Sequence, residues 1–222
     1  MHVSGHAVKA FFVALLFLSM TAAVSAQSIA ELKKQAAAGD AKAQYNLGVS
    51  YVNGEGVARD EAEAVRWFRK AAEQGYVKAQ YNLGAAYATG RGIPKDEAEA
   101  TRWYRKAAEQ GLATAQYNLG LKYSDGEGAP KDNAEAARWY RKAAEQGHPL
   151  AQYNLGASYA TGRGVPKDEA EAYFWLNLGA SALDEEVRSA RDQVGRNLTP
   201  EKRQEIQERC RKWVETHPQN RE

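Results

Sequence analysis

The chain has 222 residues, with 30 Lys and Arg against 28 Asp and Glu, four histidines and one cysteine. A formal net charge of +2 excludes the strongly basic footprint of a dedicated nucleic-acid binder. The single cysteine, Cys210, excludes an internal disulfide, so packing must hold the fold together.

Residues 1–26 read as a signal peptide. Lys9 gives a positive start, Phe11 to Val24 is apolar apart from Ser19 and Thr21, and Val24-Ser25-Ala26 offers small residues for cleavage. The alternative is an uncleaved N-terminal anchor. No second apolar run of about 18 residues follows, so no membrane span is expected after cleavage. No cysteine follows the cleavage point to carry a lipid. Cleavage removes one charged residue, Lys9.

From there one phrase organises the chain. Ala-Gln-Tyr-Asn-Leu-Gly begins at Ala43, Ala79, Ala115 and Ala151, a spacing of 36 residues. A period of this size marks a solenoid. In the first copy, Ala43, Leu47 and Tyr51 form one apolar stripe of a helix over Ala43 to Val52. Gly48 interrupts it at a cost of about 1 kcal/mol relative to alanine. Its recurrence at Gly84, Gly120 and Gly156 predicts a partner helix too close for a side chain. A loop follows, Asn53 to Val57, with glycines at 54 and 56 and at the matching places of every copy. No strand precedes it, so a loop with positive φ is expected rather than a phosphate cradle. The residue between the glycines alternates in charge (Glu55, Arg91, Glu127, Arg163), and pairing between neighbouring loops is expected.

The second helix opens on a capping box. Asp60 and Glu63 have the N-cap and N3 spacing, as do Asp96 and Glu99, Asp132 and Glu135, and Asp168 and Glu171. These carboxylates precede apolar runs, which marks them as caps and not as acid/base pairs. Pro94, Pro130 and Pro166 keep the chain before them extended. Ala64, Trp67, Phe68, Ala71 and Ala72 then make a buried stripe. Gly75, Gly111 and Gly147 stop the helix. The unit is two antiparallel helices that can bury the stripe only when stacked.

These residues carry a family resemblance. Leu47-Gly48-x-x-Tyr51 resembles the first helix of a tetratricopeptide repeat, and Ala64, Phe68 and Ala71 its second. The longer inter-helix loop with Gly-x-Gly-Val, the Trp-Phe/Tyr pair and the Ala-Ala-x-x-Gly ending resemble the Sel-one-like repeat (SLR) family. The resemblance covers Gln27 to Ala182. It implies an all-α, right-handed α-solenoid of antiparallel helix pairs, with repeats starting near 43, 79, 115 and 151. Ser28 to Gly39 reads as an unpaired second helix that starts the stack. After Ala182 the repeat pattern ends. Leu183, Val187, Ala190 and Val194 mark one helix, and Thr199-Pro200-Glu201 opens another with Pro at N1. Residues 183–214 are expected to cap the open end as a helix pair, and residues 215–222 to form a tail.

Chemistry is sparse. After residue 26 the only histidines are His148 and His217. No Cys/His cluster has metal-ligand spacing, and no hydrolase motif occurs, so neither a metal nor a cofactor is expected. Near-identical units give ladders of like groups, whereas catalysis needs unlike groups converging. Cys210 shares a helical face with Ile206 and Trp213, which predicts a buried, inert thiol; a reactive or intermolecular thiol is the alternative.

Two ladders remain. Tyr45, Tyr81, Tyr117 and Tyr153 lie across the first helices from the Ala43 stripe, accompanied by Asn46, Asn82, Asn118 and Asn154. The resemblance places first helices on the concave face, where Asn can clamp an extended peptide backbone and Tyr offers rigid contact area. The alternative is that they pack and hydrogen-bond between neighbouring repeats. The second ladder is basic: Arg66, Arg69 and Lys70, then Arg102, Arg105 and Lys106, then Arg138, Arg141 and Lys142. It is either a solvated outer face or a surface for an anionic polymer or acidic protein.

The expected function is that of a non-catalytic scaffold binding an unidentified protein or peptide. The signal peptide implies an exported envelope protein, periplasmic or secreted. The other reading is a cell-wall enzyme or β-lactam-binding protein, as cysteine-rich relatives have been linked to such activities. Those relatives carry paired cysteines in their repeats, and this chain has none there.

Overall fold

The computed structural model describes residues 28–180 and 185–217. The expected signal peptide and residues 218–222 of the expected tail lie outside them. Among the described residues there are eleven α-helices and no strand. The chain divides into two compact units, Met1–Pro94 and Lys95–Glu222.

The first unit holds α1 (28–37), α2 (Ala41–Asn53), α3 (Glu61–Glu73) and α4 (Val77–Thr89). Gln44, Gly48 and Tyr51 of α2 meet Gln74, Phe68 and Asp60 in turn, so α2 and α3 run antiparallel. Small residues let them close around Leu47: it is buried together with Ala43, Ala64, Ala71 and Ala72. A Cβ on Gly48 would stand 2.6 Å from the Phe68 ring, which is the close approach its recurrence predicts. Trp67 is only half-buried, while Val65 joins the buried set.

Capping is half as expected. The Asp60 carboxylate accepts from the Glu63 N–H at 2.9 Å, but Glu63 does not reach back. The Asp60 N–H donates instead to the carbonyl of Tyr51, and the Asp132 N–H to that of Tyr123. The loop folds the chain back so that a carbonyl orphaned at one helix end meets an N–H orphaned at the next helix start, and both are satisfied together. The N3 glutamates are thereby released to pair with arginines one turn on.

The second unit holds α5 (Glu97–Glu109), α6 (Ala113–Asp125), α7 (Asn133–Glu145), α8 (Pro149–Thr161), α9 (Glu169–Ala180), α10 (Glu185–Gly195) and α11 (Pro200–Thr216). The pairing repeats: a Cβ on Gly120 would meet the Tyr140 ring at 2.5 Å, and one on Gly156 the Leu176 side chain at 2.8 Å. Gly128 has φ +71°, and a Cβ there would collide with the Glu97 carbonyl, so each loop also presses on the preceding second helix. The core gathers Tyr140, Leu155, Tyr173, Phe174, Trp175 and Ile206. Both α10 and α11 lie against α9. Thr199 caps α11 with Pro200 at N1, and the helix runs on to Thr216, two residues into the stretch expected as tail. The Cys210 Sγ lies 3.7 Å from the Phe174 carbonyl. Burial pushes its thiol up to about 12, against a smaller opposing effect of Arg209. A protonated thiol is a poor nucleophile, which fits the inert reading.

Candidate functional site

Of the eight ladder residues on the first helices, Asn46 is exposed and the other seven are half-buried. In the first unit the Tyr45 ring lies 5.8 Å from Phe68 and 5.1 Å from Tyr76. Burial raises its hydroxyl pKa, Tyr76 adds to the rise, and a hydrogen bond with Asn82 opposes it. Tyr45 of α2 and Asn82 of α4 are therefore brought together. Tyr81 is half-buried on the same helix as Asn82.

In the second unit Tyr117 sits between Tyr140, at 6.1 Å, and the stacked ring of His148, at 4.7 Å. Asn118 Nδ2 donates to the carbonyl of Thr114 in its own helix at 2.9 Å. Tyr153 packs against Leu176 and Val187. Asn154 bonds the hydroxyl of Tyr140, as does Ser124; burial pushes that hydroxyl up to about 12. Tyr45, Tyr117 and Tyr153 are thus held by packing while staying half-buried, and the asparagines do not share a single partner.

The basic ladder resolves into three structural roles. Arg66, Arg102 and Arg138 pair with the N3 glutamates Glu63, Glu99 and Glu135 at 2.8, 3.0 and 3.1 Å. Arg69 donates to the Tyr87 hydroxyl at 2.8 Å and Arg105 to that of Tyr123 at 2.6 Å; Arg141 does the same to Tyr159. Lys70, Lys106 and Lys142 lie about 4 Å over the rings of Trp67, Trp103 and Trp139. Each cation of the ladder has a local partner: three face carboxylates, and six lie on neutral hydroxyls and rings that leave their charge in place.

Loop charges pair differently from expectation. Arg91 reaches Glu61 at 2.7 Å, at the start of α3, and not Glu55. Glu61 is held down to about 2 by hydrogen bonds from Arg91 and Arg59. The cause is the pressing of each loop on the preceding helix start, which puts N1 of that helix nearer than the neighbouring loop. In the second unit the loop residue is Glu127 and the N1 residue is Glu97, two like charges. Lys122 bridges them at 3.1 and 2.7 Å with its side chain 13% exposed. Burial works against the ammonium, but bonds to Glu97 and Glu127 outweigh it and raise its pKa.

Sequence reasoning missed a glutamine relay. Gln44, Gln80, Gln116 and Gln152 are buried, and each Nε2 donates to the carbonyl of a residue eight back: Ala36, Ala72, Ala108 and Ala144, at 3.1–3.2 Å. Gln74 and Gln146 in turn donate to the side chains of Gln44 and Gln116, at 2.7 and 2.8 Å. A buried amide is tolerated only when bonded. Its signal was present in the repeated Ala-Gln and Glu-Gln-Gly pairs, whose glutamines sit next to apolar stripes.

Among the described residues no cluster of three or more His, Cys, Asp or Glu could hold a metal ion. None of their helices is long and apolar enough to cross a membrane.

A family model described as Sel1 repeat matches residues 41–76, 77–112, 113–148 and 149–182. Each match begins at the first residue of a first helix. Similar solved structures include a protective antigen of uropathogenic Escherichia coli displaying an SLR fold. It is 44% identical, with a TM-score of 0.68 over 71% of this chain and 34% of that one. A Sel1 repeat protein from Oxalobacter formigenes is 37% identical, with a TM-score of 0.70 over 77% of this chain and 50% of that one. The chain thus spans between a third and a half of the length of these two structures. No curated protein matches the chain.

Proposed function

Because the chain belongs to the Sel1 repeat family, whose members are generally protein-interaction scaffolds, we propose that it binds a protein or peptide, without catalysis, on the face of its first helices. The observation that carries this is the row of tyrosines and asparagines, all half-buried except the exposed Asn46 and repeated with each copy. In tetratricopeptide-like stacks such helices line the concave side. A tyrosine with one face fixed by packing loses little entropy on meeting a partner, and a carboxamide both donates and accepts. Repetition of like groups supports a binding role over catalysis, since a reaction needs unlike groups converging.

The partner belongs to the cell envelope in this reading, reached by export through residues 1–26. Lys9, the apolar run to Val24 and the small residues before Gln27 support that. Mass spectrometry of the protein from an envelope fraction checks it: a mature N-terminus at Gln27 is expected, and an intact Met1 in the cytosol would refute it. Crosslinking in the native envelope tests the binding face. Asn82→Ala with Asn118→Ala should weaken capture of the partner. Unchanged capture by a folded double variant would remove the first-helix face from consideration.

A further inference from the structure

An open hollow of about 230 Å³ lies among α2, α3 and α4 of the first unit. Val52, Ala64, Val65, Phe68, Ala85 and Ala86 give it apolar walls. Asn82 lines it too, and so does the ion pair of Glu61 with Arg91 at 2.7 Å. The size decides what fits. It exceeds the ~150 Å³ of a dry cavity that takes benzene, and falls short of the roughly 300–1,000 Å³ of sites for drug-sized ligands. One side chain fits; a cofactor does not.

Other copies treat the same place differently. Leu121 and Lys122 stand at the positions of Ala85 and Ala86, with Lys122 bonded to Glu97 and Glu127. Tyr140 stands at the position of Phe68, and its hydroxyl is bonded by Ser124 and Asn154. Phe68 has no hydroxyl, and two alanines flank the space. Stacking therefore does not require the hollow; three local choices in the first unit make it.

Charge complementarity names the occupant. Within the lining Glu61 and Arg91 form an ion pair, and Arg59, which also bonds Glu61, stands outside it, so the lining itself has no unpaired charge to attract an acid or a base. The apolar walls penalise a charged group through desolvation. Asn82 has several donor and acceptor positions, of which Tyr45 takes one. We propose that the hollow receives one uncharged aliphatic side chain from an extended segment of the partner, while the Asn82 carboxamide bonds the backbone beside it. This rests on the scaffold reading and adds a sequence preference to it.

The test is a titration of the isotope-labelled full chain with the blocked pentapeptide Ser-Gly-Leu-Gly-Ser, followed by NMR. Counterparts carry Asp or Lys at the centre. The leucine peptide should shift Asn82, Ala85 and Ala86, and the charged peptides should bind about tenfold or more weakly, the scale set by burying one aliphatic side chain. Ala85→Leu introduces the residue found at position 121 and should abolish the preference with the fold intact by circular dichroism. Phe68→Tyr, which puts a hydroxyl into the space, serves if A85L does not fold. Equal binding of the three peptides, no shift at these residues, or selectivity that survives both variants would overturn the proposal. The two readings separate cleanly: a partner lost from N82A/N118A but still captured by A85L keeps the scaffold and removes the hollow.

Discussion

Helices α3 and α9 hold the same place in their repeats, yet their outer faces are opposite in character. Where α3 carries Arg66 and Lys70, α9 carries Phe174 and Leu178. The Arg66 side chain is 74% exposed, whereas Phe174 is 2% exposed. The difference is α11, which covers α9 with Ile206 and Cys210 and lays the Arg209 guanidinium 3.8 Å over the Phe174 ring. The charge balance moves with it. In α3 the N3 carboxylate of Glu63 is paired by Arg66, one turn on in the same helix. In α9 the corresponding Glu171 is paired by Arg209 of α11, because position 174 no longer holds a cation. What covers a helix, rather than what the repeat is for, decides whether that face is basic or apolar. This teaches that the basic ladder of α3, α5 and α7 is the uncovered version of a face that α9 buries.

The largest effect should follow from unmaking the covered version. Phe174→Ala removes a ring from the core that joins α9 to α11 and should lower the unfolding free energy by about 3–5 kcal/mol in urea denaturation. A loss below about 1 kcal/mol would mean that α11 rests on α9 without sharing its core, and the comparison would fail.

A middle-sized effect concerns α8, which packs between α7 and α9. His148 caps α8 by accepting the Ala151 N–H on Nδ1 at 3.3 Å, a role open only to the neutral ring. Its pKa is lowered, chiefly by burial, with a bond from its own backbone opposing. A histidine with a depressed folded pKa adds stability above its unfolded pKa of about 6.5 and loses it as pH falls toward the folded value. The melting temperature should therefore drop between pH 7 and pH 5, with forfeiture of a cap worth about 1 kcal/mol. His148→Asn, a cap that does not titrate, should flatten that slope. An identical slope in both proteins would place the acid sensitivity elsewhere.

The smallest effect should come from the uncovered version. Arg66→Ala breaks an exposed pair and should change stability by less than about 0.5 kcal/mol. A loss above 1 kcal/mol by the same denaturation measurement would make the ridge a structural element in its own right.

What could be read from the residues divides by range. Gly48 announces itself by recurring in every copy, although the ring it makes room for is on the next helix, and the cap at Asp60 because its hydrogen bond spans three residues. Partner choice across the stack does not. Arg91 and Glu55 look matched by charge, but the chain delivers Arg91 to Glu61. Glu63 has the spacing of a capping box, yet the Tyr51 carbonyl reaches the Asp60 N–H. Gln44 looks like a polar residue on a helix until Ala36 and Gln74 are seen on either side of it. Of the candidate site, the identity of the ladder was legible and its bonding was not. Asn82 turns to Tyr45, Asn118 to its own helix and Asn154 to Tyr140, although the phrase around them is the same. Nor did composition reveal a hollow beside Asn82, since it arises from Phe68, Ala85 and Ala86 on two different helices.

The glutamine relay bears on how such a chain can lengthen or shorten. Each copy offers a side-chain donor where the preceding second helix ends in a carbonyl with one lone pair left over from its glycine N–H, so every seam has the same bonding contract. Recombination that duplicates or excises one whole copy recreates a valid seam, with no adjustment elsewhere. An insertion between a glutamine and the alanine eight residues before it strands a buried amide, at a penalty of about 1–3 kcal/mol. Copy number is thereby free to drift in whole steps, while the turn that joins one copy to the next is locked.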